Sequence, residues 1–174
     1  MHLFAAVDLP VSMPLCSGLP GARWVTADQM HLTLRFFGTL DGALARDIAD
    51  ALAAIRAPAF RLQLERIGHF GTDRRVRVLW AGVRPEPLLD HLQAKVETAA
   101  RRNGLPLESR RFQPHVTLAR FRGPSPDLSG YLANFEPFRS DEFDVREFAM
   151  MSSTPRPAGA IYRIEERYPL AEPA

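Results

Sequence analysis

His31-Leu32-Thr33-Leu34 and His115-Val116-Thr117-Leu118 are the two stretches on which the reading of this chain turns. Each is a His, a large apolar residue, a Thr and a Leu, and 115 − 31 = 84 residues separate them. Each lies in a run with strand character, where residues i and i+2 share a face. In each copy the His and the Thr point one way and the apolar pair points the other. The apolar pair suits a core and the polar pair suits a cleft. Two such strands side by side bring two imidazoles and two hydroxyls into one cavity. Two histidines facing one substrate can act as general acid and general base.

Outward from these motifs, the 174 residues are 46% hydrophobic, an ordinary share for a chain that buries a core. No apolar run approaches the roughly 20 residues of a membrane span. Met1 to Leu9 lacks the basic start and long apolar centre of a secretion signal. Cys16 is the single cysteine, so no internal disulfide is expected, and a cytoplasmic location follows. The net charge is +2, yet of 22 basic residues only Lys95 is not Arg. The plainer cause is a composition rich in Ala, Arg and Pro. The surplus still leaves planar guanidinium forks available for phosphate oxygens.

His2 to Leu9 reads as a first strand and Val11 to Ala22, with two Pro and two Gly, as a loop. Arg23 to Thr26 reads as a short strand and Asp28 to Met30 as a turn into the strand His31 to Phe37, closed by Gly38. Asp41 to Arg56 has helical spacing, with Asp41 placed to cap it. Phe60 to Leu64 alternates as a strand, Gly68 to Arg75 reads as a loop with a basic tip, and Val76 to Val83 as a strand. Glu86 to Asn103 is a second helix stopped by Gly104. His115 to Phe121 is the second motif strand, followed by a short helix around Leu128 to Phe135. Strands are expected at Phe138 to Asp144, Val145 to Ser152 and Ala160 to Arg167. The order suggests a duplicated α+β unit with one His/Thr strand in each half, and no linker separates independent domains.

The flanking residues extend the two motifs. Trp24-Val25 followed by His31-Leu32-Thr33-Leu34-Arg35-Phe36-Phe37-Gly38 resembles the first block of the RNA 2′,3′-cyclic phosphodiesterases, also called 2′-5′ RNA ligases, within the two-histidine phosphoesterases. Phe112-Gln113-Pro114-His115-Val116-Thr117-Leu118-Ala119-Arg120 resembles their second block. Val78 to Val83, Gly159 to Tyr162 and Tyr168 to Leu170 are similar to the family's intervening and closing segments. The resemblance covers nearly the whole chain. It implies an α+β fold over residues 1–174, with two pseudo-symmetric lobes, each an antiparallel sheet with helices, and a cleft between them. One departure is that Pro10 to Ala22 is short and Pro-rich where such proteins carry a helix.

The resemblance implies hydrolysis of RNA 2′,3′-cyclic phosphate ends to 2′-phosphomonoesters, with His31 as proton donor and His115 as proton acceptor. Run backwards, the same groups would make a 2′-5′ linkage. Thr33, Thr117 and Arg120 are the expected phosphate-binding residues. Strict alternation puts Arg120 on the face opposite His115, so its place at the phosphate requires a bulge or a strand end that re-aims it. Arg35 shares the parity of His31 and stands as a substrate contact against a surface role. Phe36, Phe70 and Tyr162 are candidates for stacking on a base, although for Phe36 core packing is the stronger reading. His91 reads as a helix-surface residue. The expected partner is RNA with 2′,3′-cyclic phosphate ends, such as tRNA fragments, met by a monomer without membrane contact. The motifs bring no carboxylate or Cys with them, so neither metal nor other cofactor is expected. Two other readings compete: a cyclic phosphodiesterase for small nucleotides of the ADP-ribose cyclic phosphate type, and a module that binds RNA ends without catalysis.

Overall fold

The computed structural model describes residues 1–10, 18–72 and 74–172. In chain order it forms β1 (His2–Asp8), β2 (Ala22–Trp24), β3 (His31–Gly38), α1 (Gly42–Ala53), β4 (Phe60–Leu62), β5 (Leu64–Thr72) and β6 (Arg75–Val83). There follow α2 (Pro87–Arg102), β7 (His115–Phe121), α3 (Ser129–Asn134), β8 (Phe143–Val145), β9 (Glu147–Thr154) and β10 (Ile161–Pro169). Residues 11–17, which carry Cys16 and the first part of the loop expected over Val11 to Ala22, lie outside the described residues.

The main sheet has the order β10-β9-β1-β3-β7-β6-β5, with β2 also paired to β7. Every pairing in it is antiparallel. A separate two-stranded sheet joins β4 to β8. The motif strands β3 and β7 are neighbours at the centre, as two pseudo-symmetric halves require. They meet at a single ladder pair, Leu32↔Val116. Beyond it β3 and β7 part, and β2 takes the vacated edge of β7 at Phe121, Arg120 and Ala119.

The apolar pairs do what their parity suggested. Leu32, Leu34, Val116 and Leu118 are buried in one core with Ile48 and Leu52 of α1 and Leu89, Leu92 and Val96 of α2. That core lies on one face of the sheet, and the His/Thr face is opposite. The helices start where their first turns are satisfied. The Asp41 carboxylate accepts from the Leu44 N–H at 2.8 Å, and the Glu86 carboxylate accepts from the Leu88 N–H at 3.1 Å. Gly104, at φ +87°, ends α2 in a conformation that favours glycine.

Two expected elements differ. Gly68 to Thr72 is strand and not loop: β5 runs on to Thr72, which pairs with Arg75 at the start of β6. The glycines that suggested a breaker are strand residues placed for close approach. A Cβ on Gly68 would lie 2.4 Å from the Trp80 ring, so the indole can rest there only because position 68 has no side chain. Of Phe138 to Asp144, only Phe143 and Asp144 are in a strand. The preceding residues run along β5, where the Phe138 carbonyl accepts from the Arg66 N–H at 3.1 Å and the Leu64 carbonyl from the Ser140 N–H at 2.9 Å.

Candidate active site

Both motif strands carry the same irregularity. In β3, Thr33 pairs with Ala6 and Arg35 with Ala5, so Leu34 is an extra residue. In β7, Thr117 pairs with Trp80 and Ala119 with Leu79, so Leu118 is the extra residue. A bulge of this kind shifts the alternation of everything beyond it by one position. Arg35 and Ala119 therefore turn to the core, while Phe36 and Arg120 turn to the His/Thr face. Burial agrees: Arg35 is 9% exposed and Ala119 fully buried, whereas Phe36 is 57% exposed and Arg120 is exposed.

The histidines are held alike. The His31 Nδ1–H donates to the Gln29 carbonyl at 2.9 Å, and the His115 Nδ1–H donates to the Gln113 carbonyl at 2.7 Å. A carbonyl can only accept, so each neutral ring carries its proton on Nδ1 and leaves Nε2 as the basic atom. Antiparallel pairing at Leu32↔Val116 sets His31 beside Thr117 and Thr33 beside His115 across the seam. Among the described residues neither threonine hydroxyl has a side-chain hydrogen bond to protein, and Arg120 has no ion-pair partner. Burial pushes the His31 imidazole below the ordinary histidine range. The Gln29 carbonyl opposes this, and the charges of Arg120 and His115 add to it.

Aromatic rings wall each imidazole. Tyr162 meets His31 edge-on with centroids 4.6 Å apart, and Phe4 lies 5.0 Å away on another side. Phe70 meets His115 edge-on at 5.0 Å, with Trp80 at 6.3 Å. Phe36 reaches Phe4 at 5.6 Å and extends the wall to the rim. Gln29 fixes this wall from behind. Its side-chain oxygen accepts from the Tyr162 N–H at 2.9 Å, and its side-chain amide donates to the Tyr162 carbonyl at 3.3 Å. One residue thus orients His31 through its backbone and seats Tyr162 through its side chain. Among the described residues no three His, Cys, Asp or Glu side chains are placed to hold a metal ion, and no helix is long and apolar enough to cross a membrane.

A family model, that of the 2′-5′ RNA ligase superfamily, matches residues 19–156. The chain belongs to that superfamily. An RNA 2′,3′-cyclic phosphodiesterase of Escherichia coli is 31% identical over 166 residues, covering 88% of this chain and 87% of that protein. A crystal structure of a Thermus thermophilus protein superposes with a TM-score of 0.76 at 27% identity, covering 97% of each chain. The E. coli protein LigT, crystallised with 3′-AMP, superposes at 0.73 with 26% identity, again over 97% of each chain.

Against the expectations for a 2′-5′ RNA ligase superfamily member, the fold brings His31, Thr33, His115, Thr117 and Arg120 to one face, with Phe36, Phe70 and Tyr162 around them. The bulge at Leu118 supplies the re-aiming that Arg120 needed. Arg35 is a correction. The bulge at Leu34 cancels the parity it shares with His31, and its guanidinium is spent on Glu97 and on the carbonyls of Phe36 and Pro106. Phe36 is a second correction, since the same shift that buries Arg35 takes it out of the core. Gln29 and Gln113 are site residues that the His-x-Thr pattern omits, although their repeat is visible in the sequence: the motifs extend back to Gln-x-His in both copies.

Proposed function

We propose that the protein hydrolyses 2′,3′-cyclic phosphate ends of RNA to 2′-phosphomonoesters by two-histidine acid–base catalysis. One observation carries this reading: two imidazoles, each anchored through Nδ1, stand beside the other motif's threonine with Nε2 unbonded among the described residues. In the proposed reaction His115 Nε2 takes a proton from the water that attacks phosphorus. His31 Nε2–H gives a proton to the departing ribose 3′-oxygen. Thr33, Thr117 and Arg120 hold the non-bridging oxygens, where negative charge must be stabilised. The names of the relatives support the substrate class, and the family resemblance supports the assignment of acid and base. Run in reverse, the same groups would join a cyclic end to a 5′-hydroxyl. The proposal takes residues 1–174 as one bilobal unit, monomeric and cytoplasmic, working without a metal.

Product chemistry tests the orientation. Hydrolysis of an oligoribonucleotide ending in a 2′,3′-cyclic phosphate is expected to leave the phosphate on the 2′ position, resolved from the 3′ isomer by phosphorus NMR. A 3′-phosphate as main product would overturn the orientation. Absence of hydrolysis would overturn the function.

The pH dependence follows from His31. An acid must be protonated to work, and in the free protein the depressed His31 pKa lies below the usual ~6.5. Activity as kcat/KM should therefore fall as pH rises through a value under 6.5. A depressed pKa by itself suits a base better than an acid. A bound phosphate anion offsets Arg120 and raises the proton affinity of His31, so the matching limb of kcat should lie at higher pH. The two limbs belong to the coupled pair, so His31→Ala is needed to assign one of them. Survival of the alkaline limb in that variant would remove His31 from the acid role.

A further inference from the structure

Arg23 stands directly opposite Arg120 in the β2–β7 ladder. Residues directly opposite in an antiparallel pair share a face. The neighbours of Arg23, Ala22 and Trp24, pack against the core, so Arg23 projects from the other face, the one that carries Arg120, His115 and Thr117. Like charges in this relation are destabilising unless an anion lies between them. Among the described residues neither arginine has a carboxylate partner to offset that repulsion. Among the described residues Arg23 makes one hydrogen bond, from Nη2 to the Pro157 carbonyl at 3.2 Å, in the turn that leads to Tyr162. That bond ties Arg23 across to the half holding His31, and among the described residues Nε and Nη1 have no protein partner.

We infer that Arg23 forms a second anion subsite beside Arg120, taking the phosphodiester on the 5′ side of the reacting end. This rests on the proposed function, in which Arg120 holds the reacting phosphate. Strands lie about 4.8 Å apart, so two guanidinium forks on adjacent strands can each take one of two successive phosphates. A cyclic-phosphate end of RNA always brings that second phosphate, whereas a 2′,3′-cyclic mononucleotide with a 5′-hydroxyl does not. Arg23 is thus a specificity residue favouring the polymer.

The test compares wild type, Arg23→Gln and Arg23→Lys on a cyclic-phosphate-ended oligoribonucleotide and on a 2′,3′-cyclic mononucleotide. The Gln variant should lower the oligonucleotide-to-mononucleotide ratio of kcat/KM about tenfold, mostly through KM on the oligonucleotide. The Lys variant should recover part of the loss. The salt dependence of oligonucleotide binding should weaken by about one phosphate contact in the Gln variant. An equal loss on both substrates, as a merely structural tether to Pro157 would give, overturns the subsite, and so does an unchanged ratio. Fluorescence anisotropy with a 2′-phosphate-ended oligoribonucleotide reads Arg23 independently of turnover. If wild type hydrolyses neither substrate, the functional reading fails. Binding weakened about tenfold by Arg23→Gln would still uphold the subsite, and unchanged binding would overturn it.

Discussion

Replacing His31 or His115 by alanine is expected to lower turnover of a cyclic-phosphate-ended oligoribonucleotide by about 10²–10⁴-fold, the usual range for a general acid or base. The two groups act in one proton relay, so the double variant should be little worse than either single one. Both variants should stay folded. Each imidazole lies on the open face of the sheet and makes one backbone hydrogen bond, while the core is filled by the apolar residues that alternate with it. Circular dichroism and substrate binding check the fold, and single-turnover kinetics check the rate. Wild-type kinetics in either variant, with binding intact, would place the chemistry elsewhere.

The largest stability effect is expected at Arg35. Its guanidinium joins three segments: Glu97 of α2, the Phe36 carbonyl of its own strand and the Pro106 carbonyl beyond α2. Glu97 also accepts from the Glu108 N–H at 3.2 Å, so the pair braces the chain that leads from α2 towards β7. Side-chain exposures of 8% and 16% leave little water to take over either charge. Arg35→Met strands the Glu97 carboxylate, and breaking such a pair costs about 3–5 kcal/mol. For a protein of this size that lowers Tm by about 6–20 °C in a thermal melt. Adding Glu97→Gln removes the stranded charge but keeps an acceptor for Glu108, so the double variant should melt above the single one. At low temperature the folded Arg35→Met protein should retain activity, because Arg35 faces away from the histidines. A rate loss as large as that of His31→Ala, with Tm unchanged, would return Arg35 to the substrate.

The motif strands were legible because their signals are local. His115–Phe121 was read to the residue: Pro114 fixes where it can begin, and apolar residues fill its inward positions. Asp41 and Gly104 marked helix ends for reasons that need no knowledge of the rest of the chain. The bulges were not legible in the same way. Alternation has no means of marking an extra residue, so it sets Arg35 on the wrong face and Phe36 in the wrong environment. For Arg120 the need for a bulge or a strand end can be stated, but only because a role at the phosphate demands it. The Gly68 error has a different origin. Glycine within a run is a breaker by local rules, and only the Trp80 ring resting against it shows why it sits in a strand. Tyr162 and Gln29 meet across 162 − 29 = 133 residues. Gln29 is a helix or turn former by composition, and nothing local assigns it a partner on the last strand.

The seam between β3 and β7 has a mechanical side. One residue pair, Leu32↔Val116, carries the backbone connection between the two motif strands. His31, Thr33, His115 and Thr117 are each one residue from it, whereas Phe36 and Arg120 are each four residues along. At roughly 3.3 Å per residue the lever arms are about 3 Å and about 13 Å. A change of angle between the strands that moves Phe36 or Arg120 by about 4 Å would therefore displace the imidazoles by only about 1 Å. Because the strands are antiparallel, Phe36 and Arg120 lie on opposite sides of that pair, so the proton-transfer groups sit at the pivot and the aromatic and cationic contacts bracket it from either end.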